Sequence, residues 1–388
     1  MISPATYPGR YSTVLLWCIL WGSGTAQSQG NEPGDALHAL RHNKVLRFSD
    51  NYMPKDLLNG KTLVLIKLEP EPSGGVESAW KTLSEEAHPF FRVLGIDPVL
   101  YLYYPDVFAG PDFTRAIATE MTTRELSCVA LLSRRQSAGI PVYGLSLTNF
   151  SGNEQIIRQG EEAWHYESPT LESLFRNLAR AIGQHDLIKS NMLIMEAPEF
   201  YRSNALIRGR RNEGFISDLR IDRLAVPRFS EVAISDNPAQ NGEAALVASQ
   251  LNEWNSVAEQ YNNELEALFA DYTWPFALVE YDFNENNLRV KGFQYVLVQL
   301  RAEPEYLRRL LGYRDTSSET ANRSAYLDAS GQLQFTELPS GRPVYKYYIK
   351  HIHTGDVYLG EQWDAAETWQ EALRRHLSLL GKKLQERR

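Results

Sequence analysis

The chain has 388 residues, 43% of them apolar, and a formal net charge of −8. That length exceeds what one hydrophobic core usually serves, so two domains are expected. The composition excludes a disordered chain, and the acidic balance lacks the basic stripe of a general nucleic-acid binder.

The first 30 residues read as a targeting segment. Arg10 supplies a weak positive start, Tyr11 to Gly22 is a short apolar run, and Gly24-Thr25-Ala26 offers a cleavage site before Gln27. The run is too short to span a bilayer, and no later stretch is long and apolar enough to do so. A signal peptide over residues 1–26 and export to a periplasmic or extracellular space are expected. Cys18 leaves with that segment. Cys128 then stands alone, so the mature chain is expected to rely on packing rather than on an internal disulfide.

A first α/β unit is expected over residues 27–190. Gly60-Lys61-Thr62 mimics the end of a phosphate-binding loop. The Lys precedes a strand rather than opening a helix, however, and position 56 is Asp, so nucleotide binding is rejected. Alternation and turn signals predict a strand at 63–68, a helix over 76–94, a strand at 99–103 and a helix over 112–126. Strands at 128–132 and 142–147, joined by a polar turn over 133–139, and a helix over 170–182 complete the unit. Ser146 lies in Gly-Leu-Ser-Leu-Thr, which lacks the second glycine of a nucleophile elbow. The expected order is βαβαββα in mixed sheets with helices packed on them. This order resembles the thioredoxin-like fold, although the sequence has no C-x-x-C motif.

A connecting segment is expected over residues 191–275. It opens with a crowd of arginines: Arg202, Arg208, Arg210, Arg211, Arg220, Arg223 and Arg228. Glu213, Asp218 and Asp222 offset part of this charge, which points to a salt-bridged surface. Arg208, Arg210 and Arg211 form the candidate anion-binding set, because guanidinium forks suit phosphate and carboxylate. A long helix over 244–272 follows. Its apolar positions Val247, Leu251, Trp254, Ala258, Tyr261, Leu265, Leu268 and Tyr272 alternate in steps of four and three. Ala and aromatics in that seam favour packing against the chain itself over a coiled coil with a second copy.

A second, shorter α/β unit is expected over residues 276–388, as a copy of the first. Residues 60–72 align without gaps with 292–304, sharing Gly60/Gly292, Leu65/Leu297 and Pro72/Pro304. Pro141-Val142-Tyr143 matches Pro343-Val344-Tyr345, and the closing helices begin at Thr170 and Thr368. His351 and His353 share one face of a strand with Asp356 nearby. The strand also bears lysines and offers no clear third ligand, so metal binding is not expected. No motif asks for a cofactor.

Duplication without a duplicated polar constellation points to an exported, non-enzymatic binding or scaffold protein of a cell envelope. Its ligand is unknown, and another envelope protein is the expected kind of partner. The alternative is an exported enzyme, such as a hydrolase, with its site between the two units.

Overall fold

The computed structural model describes residues 46–68, 76–137, 139–154, 156–158, 161–192, 194–201, 207, 210–229, 242–280, 285–315, 317–339 and 342–386. The expected targeting segment and Arg208 lie outside these residues. The chain forms two mixed six-stranded sheets covered by helices, the α/β class read from the sequence.

The first sheet is ordered β1-β6-β5-β4-β2-β3. Its strands are β1 (Arg47–Phe48), β2 (Lys61–Leu68), β3 (Asp97–Tyr103), β4 (Leu126–Ser137), β5 (Ile140–Asn149) and β6 (Glu162–Ser168). Helix α1 (Val76–Val93) crosses from β2 to β3. Helices α2 (Tyr104–Val107) and α3 (Pro111–Thr123) connect β3 to β4, and α4 (Leu171–Gly183) follows β6. The strands β2, β3 and β4 are mutually parallel, while β5 is antiparallel to β4 and β6. The expected polar turn at 133–139 is mostly strand, because the β4–β5 ladder continues to Ser137 and Ile140.

Side chains alternate across this sheet, as strand geometry requires. Val64, Ile66, Tyr101, Leu132 and Leu147 pack under Trp80, Leu83 and Phe91 of α1 and Leu174 and Leu178 of α4. On the opposite face, Leu63, Leu65, Leu100, Leu102 and Val129 meet Ile117, Ala118 and Met121 of α3.

The second sheet is ordered β7-β14-β13-β10-β8-β9. It comprises β7 (Arg211–Asn212), β8 (Leu224–Pro227), β9 (Phe276–Val279), β10 (Tyr295–Ala302), β13 (Val344–His351) and β14 (Val357–Tyr358). Helix α5 (Gly242–Leu268) lies between β8 and β9, α6 (Glu285–Val290) between β9 and β10, and α9 (Trp369–Glu386) after β14. Between β10 and β13 come α7 (Pro304–Leu310), α8 (Ser318–Ala321) and a separate hairpin, β11 (Arg323–Leu327) with β12 (Leu333–Glu337).

With that insertion set aside, the two sheets have the same strand order and the same directions. The two units therefore share one topology, but one expected alignment between them is wrong. The strand bearing Leu65 lies between β4 and β3, whereas the strand bearing Leu297 lies between β13 and β8. Strand β10 is the counterpart of β4. The shared pattern arises because β2 and β10 are both interior strands buried on both faces, which makes each a near-continuous apolar run. The second match holds: β5 corresponds to β13 and α4 to α9. Thr170 accepts a hydrogen bond from Ser173 N at 3.2 Å, and Thr368 accepts one from Glu371 N at 3.3 Å, so the repeated threonines are equivalent helix caps.

The expected connecting segment also needs correction. Strands β7 and β8 and helix α5 belong to the second sheet and its cover, and α5 is the counterpart of α1. The boundary expected at 276 falls between strands of one sheet. β7 and β8 are only two and four residues long, too short to show periodicity beside the arginines that flank them. On α5, Ala258, Tyr261 and Leu265 are buried, with Phe269 and Tyr272 just beyond its end. The cluster these aromatics and Leu265 join includes Leu224, Tyr295, Leu297, Tyr347 and Trp369. The seam thus packs within its own chain over this stretch, and the side chains at 247, 251 and 254 lie outside the description.

The other face of the second sheet, Val296, Val298, Leu300, Val344 and Tyr348, shares one continuous apolar cluster with the first unit. Tyr103 and Tyr306 meet there with ring centroids 5.0 Å apart, and Arg301 N donates to Ala109 O at 2.9 Å.

Candidate functional site

Among the described residues, three groups of charged side chains bear on function, and the first is at the seam between the units. Asp112 and Arg115 sit on the first turns of α3, Glu285 opens α6, and Tyr348 and Lys350 lie on one face of β13. Lys350 Nζ is 2.7 Å from Asp112 Oδ1 and 2.9 Å from Glu285 Oε2. Arg115 reaches Glu285 at 3.0 Å and Glu154 at 3.6 Å. Tyr348 donates to Asp112 Oδ2 at 2.6 Å. Burial, reinforced by the Asp112 charge, holds the Tyr348 phenol well above its ordinary range, so it remains a donor. Both helix-opening carboxylates also complement the positive ends of their helices. These groups neutralise one another across the seam. Convergent carboxylates could serve acid–base chemistry, but here both are held by the same two cations.

The second place is a fully buried trio in the second unit: Lys346 on β13, Asp364 beyond β14 and His376 on α9. Its origin is a break in the ladder. Strand β5 pairs with β6 continuously from Tyr143 to Leu147. Its counterpart β13 pairs with β14 at Ile349 and Lys350 and meets Ala366 at Tyr345, while the intervening residues 359–365 leave the sheet. Lys346 fills the gap, donating to Leu359 O at 2.8 Å and pairing with Asp364, whose other oxygen is 2.9 Å from His376 Nδ1. Burial raises the Asp364 carboxyl, but Lys346 and His376 more than offset this and hold it below its ordinary range. Burial holds His376 below the ordinary imidazole range. The ring is then neutral and donates through Nδ1, which leaves Nε2 as a buried acceptor without a hydrogen-bond partner among the described residues. An oriented imidazole of this kind has the chemistry of a general base. His376 is 0% exposed, so no substrate atom reaches it in this conformation.

The third place is the arginine segment. Most of its described guanidinium groups tie it to its own unit. Arg220 donates to Leu384 O, Arg223 stacks on Phe293 at 4.7 Å, and Arg228 pairs with Glu266 at 2.7 Å. Of the candidate anion set, Arg210 lies against Gly355, and Arg211 pairs with Glu213 at 2.8 Å. Arg211 also stacks on Tyr313 at 4.6 Å, and its Nε and Nη2 are buried without a hydrogen-bond partner. The same Tyr313 ring carries Arg308 of α7 at 4.5 Å, a buried residue that the sequence reading passed over. Nothing local distinguishes Arg308 from the adjacent Arg309. Only the tertiary placement of Tyr313 brings it near Arg211.

His351 Nδ1 shares a 2.9 Å hydrogen bond with Thr354 Oγ1, and Arg289 donates to His353 Nδ1 at 2.9 Å. Among the described residues, no group of three or more His, Cys, Asp or Glu side chains could hold a metal ion. Burial pushes the Cys128 thiol up to about 11. Ser146 Oγ lies 2.9 Å from His165 Nδ1, while Glu167 is 3.9 Å from the other ring nitrogen and pairs instead with Arg135. Among the described residues, no helix is long and apolar enough to cross a membrane.

Compared with known proteins, the chain matches no family model, no curated protein and no solved structure.

Proposed function

We propose that this is an exported, non-catalytic binding or scaffold protein of a cell envelope, matured by cleavage after Ala26. One contrast supports this reading. The carboxylates and the imidazole suited to acid–base catalysis are committed to internal partners, at the seam and in the buried trio. Guanidinium N–H groups at the edge of the second sheet are left over. Surplus donors serve recognition, whereas catalysis needs a base that a substrate can reach.

A second reading, an exported hydrolase, draws on the hydrogen bond between Ser146 and His165. One experiment separates the two. The full chain is expressed with export, its mature N-terminus is sequenced, and the product is treated with a fluorophosphonate that labels activated serines. A start at Gln27 without labelling is expected. A start at Met1 removes the export argument. Labelling that disappears in Ser146→Ala replaces the binding reading with the hydrolase.

A further inference from the structure

We infer that Arg211, Arg308 and Tyr313 form a binding site for a phosphate-like oxyanion, an inference that rests on the binding reading above and names its ligand chemistry. Arg211 lies on the edge strand β7. Arg308 lies on α7 and Tyr313 just beyond it, within the insertion between β10 and β13. The first sheet has no counterpart of that insertion, because its β4 passes directly into β5. The site is therefore a property of the second unit alone.

Its counter-ions are exposed or engaged elsewhere. Arg308 is 7% exposed. Its Nε donates to Asp315 O at 2.9 Å, and its ring contacts are Tyr313 and, at 5.3 Å, Trp363. Burial, with the charge of Arg211 adding to it, pulls the Arg308 guanidinium below its ordinary range. Of the carboxylates around it, Glu213 pairs with Arg211 but is 71% exposed and so compensates weakly, and Asp364, whose charge acts on Tyr313, is held by Lys346 and His376. Asp315 is occupied by its own turn, accepting from Ser317 N at 3.0 Å and from Thr320 Oγ1 at 2.6 Å. Two cations near one another, one deeply buried, ordinarily require an anion beside them.

The donors left over define that anion. Arg211 Nε and Nη2 and the Tyr313 hydroxyl are buried without a hydrogen-bond partner, and no protein acceptor engages the two Nη nitrogens of Arg308 among the described residues. Burial keeps the Tyr313 phenol protonated, so it too is a donor. Two guanidinium forks and one hydroxyl present more N–H and O–H groups than the two oxygens of a carboxylate can satisfy. A tetrahedral dianion offers three or four oxygens and two charges. Free phosphate and the phosphate of a phosphomonoester share this chemistry.

The test is titration calorimetry on the full-length mature protein with inorganic phosphate, glycerol 2-phosphate, sulfate and acetate. Phosphate or the monoester should bind at one equivalent, with acetate at least about tenfold weaker. The tighter of the two phosphates identifies the source of the ligand. Arg211→Lys and Arg308→Lys should each weaken binding by about tenfold or more, since lysine keeps the charge but loses the fork. Tyr313→Phe keeps the ring beneath both guanidinium groups and should still weaken binding severalfold, which preserves the test if an arginine variant fails to fold. Arg223→Lys, on a different ring, should bind as the parent does. No saturable phosphate binding, or binding that is indifferent to Arg308→Lys and Tyr313→Phe, overturns the inference and leaves the binding reading standing if the serine probe is also silent. Labelling of Ser146 removes the binding reading, while the titration still decides the anion site.

Discussion

Lys350 Nζ lies 2.7 Å from Asp112 Oδ1, although the two residues are 238 positions apart. The same ammonium reaches Glu285 at 2.9 Å, so one cation on β13 holds the first turns of α3 and α6, which are counterparts in the duplicated topology. All three side chains are about 15% exposed, which limits screening by water. Lys350→Met should leave two carboxylates with Arg115 as their one shared cation and cost about 2 kcal/mol, below the roughly 3–5 kcal/mol of a fully buried pair. Chemical denaturation measures this. A variant as stable as the parent would mean that the seam rests on its apolar contacts.

Gly110 precedes α3 where the first unit packs against β10. Its φ of −180° is ordinary extended backbone, so the constraint is space. A Cβ there would collide with the buried Leu300 Cδ2 and lie 3.2 Å from Gln299 O. Gly110→Ala should destabilise by about 1–3 kcal/mol through overpacking. Leu300→Ala in the same chain should cost less than it does alone, because each change makes room for the other. Strict additivity in thermal melts would count against this account.

Leu265 is 3% exposed on α5 and packs within its own unit. Leu265→Ala should cost about 2–5 kcal/mol, as for a buried leucine truncation. Light scattering should show no change of oligomeric state. Dissociation of a dimer into stable monomers would identify the helix as an interface instead.

The buried trio gives stability a pH dependence with a definite sign. His376 titrates below its ordinary value of about 6.5 when folded, so the unfolded chain takes up the proton first as pH falls. Stability should therefore decline on acidification from about pH 6.5. His165, held down mainly by burial, adds to the decline, and the half-buried His185, raised by its bonds to Asn51 and Ala181 carbonyls, opposes it weakly. Asp364 is also held low, so its contribution is present above about pH 4 and is lost below it. His376→Gln should be less stable at pH 7.5 yet show a shallower fall in Tm towards pH 5. An unchanged slope would assign the dependence to other groups.

Sequence by itself determined what depends on near neighbours. The 3.6 and 2 periodicities placed α1, α3, α4, α5 and the longer strands, because each element must turn one face to a core. The threonines at 170 and 368 marked helix starts, because a hydroxyl there satisfies an N–H that the helix leaves open. The seam of α5 pointed inward for the same local reason. Tertiary structure alone decided which strands are equivalent. β2 and β10 carry the same apolar signal whatever their neighbours, while β7 and β8 are too short to carry any. It alone brought Lys350 to Asp112, Lys346 to Asp364 and Arg308 to Arg211. Those meetings follow from sheet order, from the break in the β13 ladder and from the placement of an insertion, and a charge shows no local preference for a partner well beyond its own turn or hairpin.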